Sequence, residues 1–388
     1  MYNIKTLNKI AKCGLDNFDG KYVISETEEN PDAVILRSFN MHETELPDSL
    51  KAVARAGAGV NNIPIDKCSQ KGIVVFNTPG ANANAVKELV VAALLLSSRK
   101  IYDAIEWAQT LKGNGADVPK LVEKGKSNFA GPEIMGKTLG VIGLGAIGVM
   151  VANAASSLGM EVIGYDPFMS VEAAWMISKG VKKETDLKAL VAQCDYISLH
   201  LPLNADTKGM VSSELLAAVK PGIRVLNFSR GELVDDDAIE AALESGAVAC
   251  YVTDFPNDRV IGMKNVIAIP HLGASTPESE DNCAIMAAKQ LADFLENGNI
   301  KNSVNFPECS MPRSAAIRLA IAHKNVPSMI SAFSGLFSER GINIENFINK
   351  SRKELAFTLI DTDTDVSEED VKKLSGMEGV LHVTIIKS

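Results

Sequence analysis

Between Thr138 and Phe168 the chain reads TLGVIGLGAIGVMVANAASSLGMEVIGYDPF, and this order leaves little freedom of fold. Thr138 to Ile142 is a short apolar run that predicts a strand. Gly143, Gly145 and Gly148 follow as G-x-G-x-x-G. Ala146 to Leu158 reads as a helix stopped by Gly159. Glu161 to Tyr165 is a second apolar strand, with Asp166 at its end. Strand, glycine turn, helix, strand and acid is the order a dinucleotide site needs. Gly143 allows the tight turn, Gly145 admits a pyrophosphate to the backbone, and Gly148 lets the helix pack close to the strand. The helix N-terminus, at Ala146 and Ile147, offers free N–H groups and a positive dipole end to the phosphates. Asp166 can accept hydrogen bonds from both hydroxyls of the adenosine ribose and repels a 2′-phosphate. The pattern therefore specifies NAD rather than NADP.

At 388 residues the chain is too long for one core, so two or three domains are expected. A hydrophobic fraction of 46% and a charged fraction of 22% are those of a soluble globular protein. The net charge of −9, with no basic stripe, argues against a nucleic-acid partner. The N-terminal MYNIKTLNKIAKCGL lacks the apolar core of a signal peptide, and no apolar run reaches membrane-spanning length. The six cysteines are scattered without a C-x-x-C, and there is no H-E-x-x-H or similar ligand cluster. The expectation is a cytoplasmic protein with reduced thiols, no metal site and no membrane contact.

Residues 1–96 read as a small α/β domain. Ala33 to Arg37, Lys51 to Arg55 and Ile73 to Phe76 are apolar runs that end in polar or glycine residues. Ligands of open α/β sheets bind beyond the carboxyl ends of strands. Arg37, Ser38, the backbone of Gly57, Ala58 and Gly59, and Asn82 are candidates to line one such rim. Singly each reads as a turn residue. Together they supply the cation and N–H donors that an anionic substrate needs. Ala83 to Ser98 predicts a long apolar helix, and the helical segment from Ile101 to Leu111 leads into the dinucleotide domain, expected over 97–277.

Within that domain Tyr196 to Leu201 is a strand, followed by Pro202 and Thr207, and His200 and Pro202 are candidates to wall the adenine pocket. Ile223 to Ser229 is the next strand, with Arg230 just past its end, where a guanidinium can hold a carboxylate bidentately. Ala247 to Val252 runs into Thr253-Asp254-Phe255-Pro256-Asn257-Asp258. Asn265 to Ile269 is the last short strand, followed by Pro270-His271-Leu272-Gly273. A lone histidine is more often structural. One that comes after a strand end and a proline, in a chain that also carries Arg230, fits a general acid–base. Asp258 is the nearest upstream exposed acid able to orient it.

Taken together, these residues resemble the D-2-hydroxyacid dehydrogenase family. The matching pieces are LRS at 36–38, AGAGVNNI at 56–63, FNTPGANANAVKE at 76–88, GVIGLGAIG at 140–148, Asp166, LHLPL at 199–203, NFSRGELVD at 227–235, DFPND at 254–258 and PHLGAST at 270–276. The resemblance implies that His271 is the catalytic acid–base, Arg230 the carboxylate anchor and Asp258 the partner of His271. It adds Thr207, Ser229, Asp254 and Gly273 to the cofactor contacts. It implies a Rossmann-like NAD-binding domain inserted in a flavodoxin-like α/β substrate domain (1–96 and 278–304). The implied activity is NAD-dependent oxidation of a phosphorylated 2-hydroxy acid, 3-phospho-D-glycerate, at C2, with Arg37 at the phosphate end. Other 2-hydroxy acids, the reduced forms of glyoxylate, hydroxypyruvate or 2-oxoglutarate, are the alternative. A non-catalytic NAD-sensing scaffold is a reading from another class. Three positions depart from the pattern: Asp258 replaces a glutamate, Thr253 an acid, and Glu280 a glutamine.

Asn302 to Pro312 reads as a linker. Beyond it the predicted order is βαββαβ over 312–388, which resembles an ACT (ferredoxin-like) domain, a small amino-acid-sensing module. By motif position His323, Asn325 and Asn343 would contact a serine effector, with Ser328 standing where that module has glycine. A homodimer or homotetramer is expected.

Overall fold

The computed structural model describes residues 1–387. The chain divides into two compact units, Met1–Asn82 with Pro277 onward, and Ala83–Thr276. The first unit carries a five-stranded parallel sheet of β1 (Tyr2–Leu7), β2 (Tyr22–Ser25), β3 (Ala33–Leu36), β4 (Ala52–Arg55) and β5 (Val74–Phe76), in the order β2-β1-β3-β4-β5. This is a doubly wound order. β3 and β5 are apolar at every position because both of their faces are covered. The helix Pro277–Asn297 packs on β3 and β4 and buries Cys283, Ala284, Ala287, Ala288, Leu291, Phe294 and Leu295. Those residues repeat at helical spacing, so one stripe faces the core.

The segment expected as a linker is instead built into this unit. Phe306 and Cys309 are buried. The Asn305 amide accepts from Val75 N at 2.9 Å and donates to the Ile73 carbonyl at 2.9 Å. Its side chain thus bonds edge-strand backbone groups that would otherwise lack protein partners.

The second unit is a seven-stranded parallel sheet: β6 (Thr138–Ile142), β7 (Glu161–Tyr165), β8 (Lys182–Lys183), β9 (Tyr196–Leu199), β10 (Ile223–Asn227), β11 (Val248–Thr253) and β12 (Val266–Ala268). Their order is β12-β11-β10-β9-β6-β7-β8, with the reversal between β6 and β9 that marks a dinucleotide fold. The helix Ala83–Arg99, expected with the first domain, lies in this unit against the helix Ala146–Ser157. Its Val86, Val90, Ala93 and Leu94 join Leu139, Val141 and Val149 in one core. Ser98 and Tyr196 hydroxyls pair at 2.7 Å beneath it.

The remaining strands are β13 (Ile317–Lys324), β14 (Ile344–Arg352), β15 (Leu355–Thr362) and β16 (Val380–Lys387), an antiparallel sheet ordered β14-β15-β13-β16. The helices Met329–Glu339 and Glu368–Ser375 complete the expected βαββαβ order. One face packs Leu319, Ile321 and Ile360 on Phe333 and Phe337 of the first of those helices. The other face adds Ala320, Ala322, Phe357, Leu359 and Ile386 to the core of the five-stranded sheet, so this module belongs to the first compact unit. Arg318 and Asp361, both fully buried, pair at 2.6 and 2.8 Å, and Arg318 also donates to the carbonyls of Asn297, Met311 and Pro312.

Candidate functional site

In the second unit most of the candidates stand at one edge of the sheet. The register pairs Ile142 with Tyr165 and Leu199, Leu199 with Asn227, Asn227 with Thr253, and Thr253 with Ala268. Parallel strands that end in step deliver the residues just past their ends to one rim: Gly143, Asp166, His200, Ser229, Arg230, Asp254 and His271.

The glycine turn fits a dinucleotide. Gly143 has φ +94°, and a Cβ there would stand 2.4 Å from the His200 carbonyl oxygen. A Cβ on Gly148 would stand 1.9 Å from the Gly143 oxygen, so the helix could not seat. Gly145 is the opposite case, with open space where its Cβ would be. That space, together with exposed Ala146 and a helix start without a side-chain cap, is where a pyrophosphate fits. Asp166 is fixed by Leu144 N and Phe168 N, each at 2.8 Å, one to each carboxylate oxygen. Each oxygen keeps a lone pair for a ribose hydroxyl.

The wall beyond is braced from within. His200 N donates to the Ile142 carbonyl at 2.8 Å, and Nε2 lies 2.9 Å from Ser198 Oγ. Burial pushes its pKa down to about 3, so the ring is neutral, and Nδ1 is buried without a partner. The Thr207 hydroxyl donates to the Pro202 carbonyl at 2.6 Å and that of Ser229 to the Leu199 carbonyl at 2.7 Å. Both hydroxyls therefore shape loops and have no donor left for a ligand.

Arg230, Asp254 and His271 come together around Phe255. The Phe255 ring lies 4.5 Å from the His271 ring and 5.8 Å from the Arg230 guanidinium. Arg230 Nη1 donates to the Ser229 carbonyl at 2.6 Å, and the Asn227 amide donates to the Arg230 carbonyl at 2.8 Å. Asp254 is 1% exposed, and its Oδ2 accepts the Gly273 N–H at 3.0 Å, closing the loop that bears exposed His271. Its Oδ1 is buried without a partner. Burial raises the Asp254 pKa, while the Gly273 bond and the charges of His271 and Arg230 pull it back. Asp258 lies elsewhere: it is the first, exposed residue of the short helix Asp258–Gly262, capped by Asn257. Among the described residues its carboxylate makes no hydrogen bond or ion pair with His271 or Arg230. The acid beside the histidine is thus Asp254, at a strand end, and the sequence offered no signal to choose between them.

In the first unit the other candidates share the carboxyl edge of the five-stranded sheet, where Leu36 pairs with Arg55 and Ala54 with Phe76. Arg55 holds the rim by donating to the carbonyls of Arg37, at 2.9 Å, and Gly59. The Gly57 N–H is used on the Arg55 carbonyl at 2.9 Å, leaving Ala58 and Gly59 as the donors of that loop. Ser38 Oγ accepts from the Asn8 amide at 2.7 Å and keeps its own proton to give. Asn82 Oδ1 and Thr78 Oγ1, in the segment after β5, are buried without protein partners, which leaves both atoms open to a ligand or a water. Sequence reading missed Thr78. Arg37 is already engaged, its Nη1 lying 2.5 Å from Glu280 Oε1 in the first turn of the helix Pro277–Asn297.

The three effector candidates do not come together. His323 is 1% exposed, with Nδ1 at 2.8 Å from the Lys324 carbonyl and Nε2 at 2.9 Å from Thr358 Oγ1. Asn325 donates to the Lys353 carbonyl at 3.0 Å. Asn343 lies at the other end of the sheet: the adjoining Ile344 pairs with Thr362, which pairs with Ile317, whereas Lys324 pairs with Leu355. Ser328 takes the left-handed φ of +68° for which glycine is suited. Among the described residues no group of His, Cys, Asp and Glu is arranged to hold a metal, all six cysteines are free, and no helix is long and apolar enough to cross a membrane.

Residues 91–273 match the family model of the D-isomer specific 2-hydroxyacid dehydrogenase NAD binding domain. The chain is 31% identical over 352 residues to the D-3-phosphoglycerate dehydrogenase of Escherichia coli K12, covering 87% of this chain and 82% of that one. It is 35% identical over 327 residues to the D-3-phosphoglycerate dehydrogenase of Synechocystis, covering 79% of this chain but only 56% of that longer enzyme. A solved structure of NAD+-bound 3-phosphoglycerate dehydrogenase from Entamoeba histolytica superposes with a TM-score of 0.59 at 27% identity, over 78% of this chain and 98% of that one.

Proposed function

The chain belongs to the D-isomer specific 2-hydroxyacid dehydrogenases, and from that premise we propose that it oxidises 3-phospho-D-glycerate at C2 to 3-phosphohydroxypyruvate with NAD, the reaction that opens serine biosynthesis. The observation that carries the proposal is the convergence of Arg230, Asp254 and His271 about Phe255 at the carboxyl edge of an NAD-binding sheet. When bound, NAD supplies the acceptor for the hydride leaving C2. His271 takes the hydroxyl proton in oxidation and returns it in reduction, a role that contributes about 10²–10⁴-fold to rate. Arg230 holds the substrate carboxylate with a planar pair of N–H donors. Asp254, buried and without a partner at Oδ1, holds the loop that bears His271 through its bond to the Gly273 N–H. The N–H groups of Ala58 and Gly59, with Asn82, serve the carboxylate and reacting oxygen, and Arg37 and Ser38 the phosphate.

The relatives named for this activity support the substrate. The Arg37–Glu280 pair favours a second reading, an unphosphorylated 2-oxo acid, because the candidate phosphate cation is already neutralised. NADH-dependent reduction of phosphohydroxypyruvate, compared with glyoxylate, hydroxypyruvate and 2-oxoglutarate, decides between them: at least a tenfold advantage in kcat/KM for the phosphorylated acid supports the first, and a reversed order the second. The βαββαβ module is proposed as an ACT domain in a cytoplasmic homodimer or homotetramer. Serine inhibition would require Asn343 from a neighbouring copy, since it stands far from Asn325 in one chain.

A further inference from the structure

We propose that Glu280 is a specificity-determining residue, whose carboxylate competes with the substrate phosphate for the Arg37 guanidinium and so lowers selectivity for the phosphorylated acid. This rests on the reading of Arg37 as the phosphate contact. Arg37 comes directly after β3, and its backbone is pinned on both sides: its carbonyl accepts from Arg55 Nε at 2.9 Å and from the Asn62 amide at 3.1 Å. The guanidinium leaves this fixed base with Nη1 2.5 Å from Glu280 Oε1. The two side chains are 35% and 46% exposed, so solvent and an incoming anion can reach both.

Charge then acts in two ways. A phosphate that takes Arg37 must displace, or share it with, a carboxylate that already contacts Nη1. Once it has done so, it sits beside an anion with which it shares one cation, and like charges at such range repel. The displacement itself is cheap, because exposed ion pairs contribute little. A neutral distal group meets neither effect, since it asks nothing of Arg37 and adds no charge near Glu280. The influence of Glu280 therefore falls on phosphorylated ligands alone. Arg55, the other cation at this rim, is occupied with the carbonyls of Arg37 and Gly59 and cannot take over. Glu280 also stands in the first turn of the helix Pro277–Asn297, where an acid suits the dipole. Glu278 shares that turn and has no partner on Arg37, which makes it the control for a helix effect.

The test uses the full chain with Glu280→Gln and Glu278→Gln. The KM and kcat of phosphohydroxypyruvate and hydroxypyruvate are measured, and so is calorimetric binding of 3-phosphoglycerate and glycerate, which needs no turnover. Glu280→Gln is expected to lower the KM of phosphohydroxypyruvate and the Kd of 3-phosphoglycerate at least threefold. It should leave hydroxypyruvate and glycerate within twofold, and Glu278→Gln should leave all four within twofold. Weaker binding of the phosphorylated ligands to Glu280→Gln would overturn the proposal, as would an equal change for both ligand classes. Phosphoglycerate that binds tighter to Glu280→Gln but is not turned over by the unmodified chain would sink the proposed reaction and keep the role of Glu280. Binding of phosphoglycerate to neither protein would overturn both.

Discussion

His271 gains its meaning from its surroundings. An exposed histidine is common, but the ring of this one lies tilted against Phe255, and its loop is tied to buried Asp254 through Gly273. Replacing His271 with alanine should reduce turnover at least a hundredfold while NAD affinity stays within threefold, read by steady-state kinetics and NADH fluorescence. Asp254→Asn keeps an acceptor for the Gly273 N–H and loses only charge, so at least a tenfold loss of kcat is expected. Asp258→Asn should cost less than threefold, and the reverse order would restore Asp258 to the site. The glycines separate binding from folding in the same way. Gly145→Val fills open space, so it should fold with unchanged melting temperature but bind NAD at least tenfold more weakly. Gly148→Ala puts a methyl against the Gly143 carbonyl and should lower the melting temperature. Equal effects of the two on stability would contradict the cradle.

At the scale of elements, β6, the helix Ala146–Ser157 and β7 were legible because their glycines permit one geometry only. The small module was legible for another reason: its strands and helices alternate in apolar period, and that alternation gives the βαββαβ order. β1 and β2 escaped notice, since YNIKTL mixes polar and apolar residues as a partly covered strand does. The stretch 302–312 misled through its composition. Asn, Ser and Pro usually mean a loop, yet Asn305 spends its amide on β5 and Phe306 enters the core. His323 misled as well, because motif position carries no information about burial, and both of its ring nitrogens are used inside the sheet. Arg318 ties the small module to residues 297–312 through the carbonyls of Asn297, Met311 and Pro312, and Asp361 within the module pairs with its charge. Breaking a buried pair by removing one partner leaves a bare charge, so Arg318→Met should cost about 3–5 kcal/mol in urea unfolding. Burial pushes the Asp361 pKa up, but the bonds from Arg318 and Ser314 outweigh it and the net shift is downward. The stability this pair contributes is therefore present above the ordinary carboxylate range and lost as pH falls through the depressed value.

Across the whole molecule three sheltered histidines set the acid limit, His323 buried and His200 and His382 half-buried. His200, His323 and His382 are each held below the usual histidine value by burial, His200 down to about 3. A base with a depressed folded pKa binds more protons unfolded than folded once the pH drops below about 6.5. Stability should therefore decline steadily from about pH 6.5 downward, earlier than carboxylates alone would cause, and thermal melts across pH 4–8 will show it. A melting temperature flat between pH 7 and pH 5 would contradict the burial of these rings. The two compact units need not melt together, so the scans are best read with separate probes of each.

The roles assigned to these residues all rest on one reaction. The measurement that tests it most directly is the oxidation of NADH by the purified chain with phosphohydroxypyruvate, run beside the His271→Ala variant and beside glyoxylate, hydroxypyruvate and 2-oxoglutarate. The expected result is turnover that prefers phosphohydroxypyruvate and vanishes in the variant. Turnover that survives the loss of His271, or no turnover of any of the four acids, would contradict it.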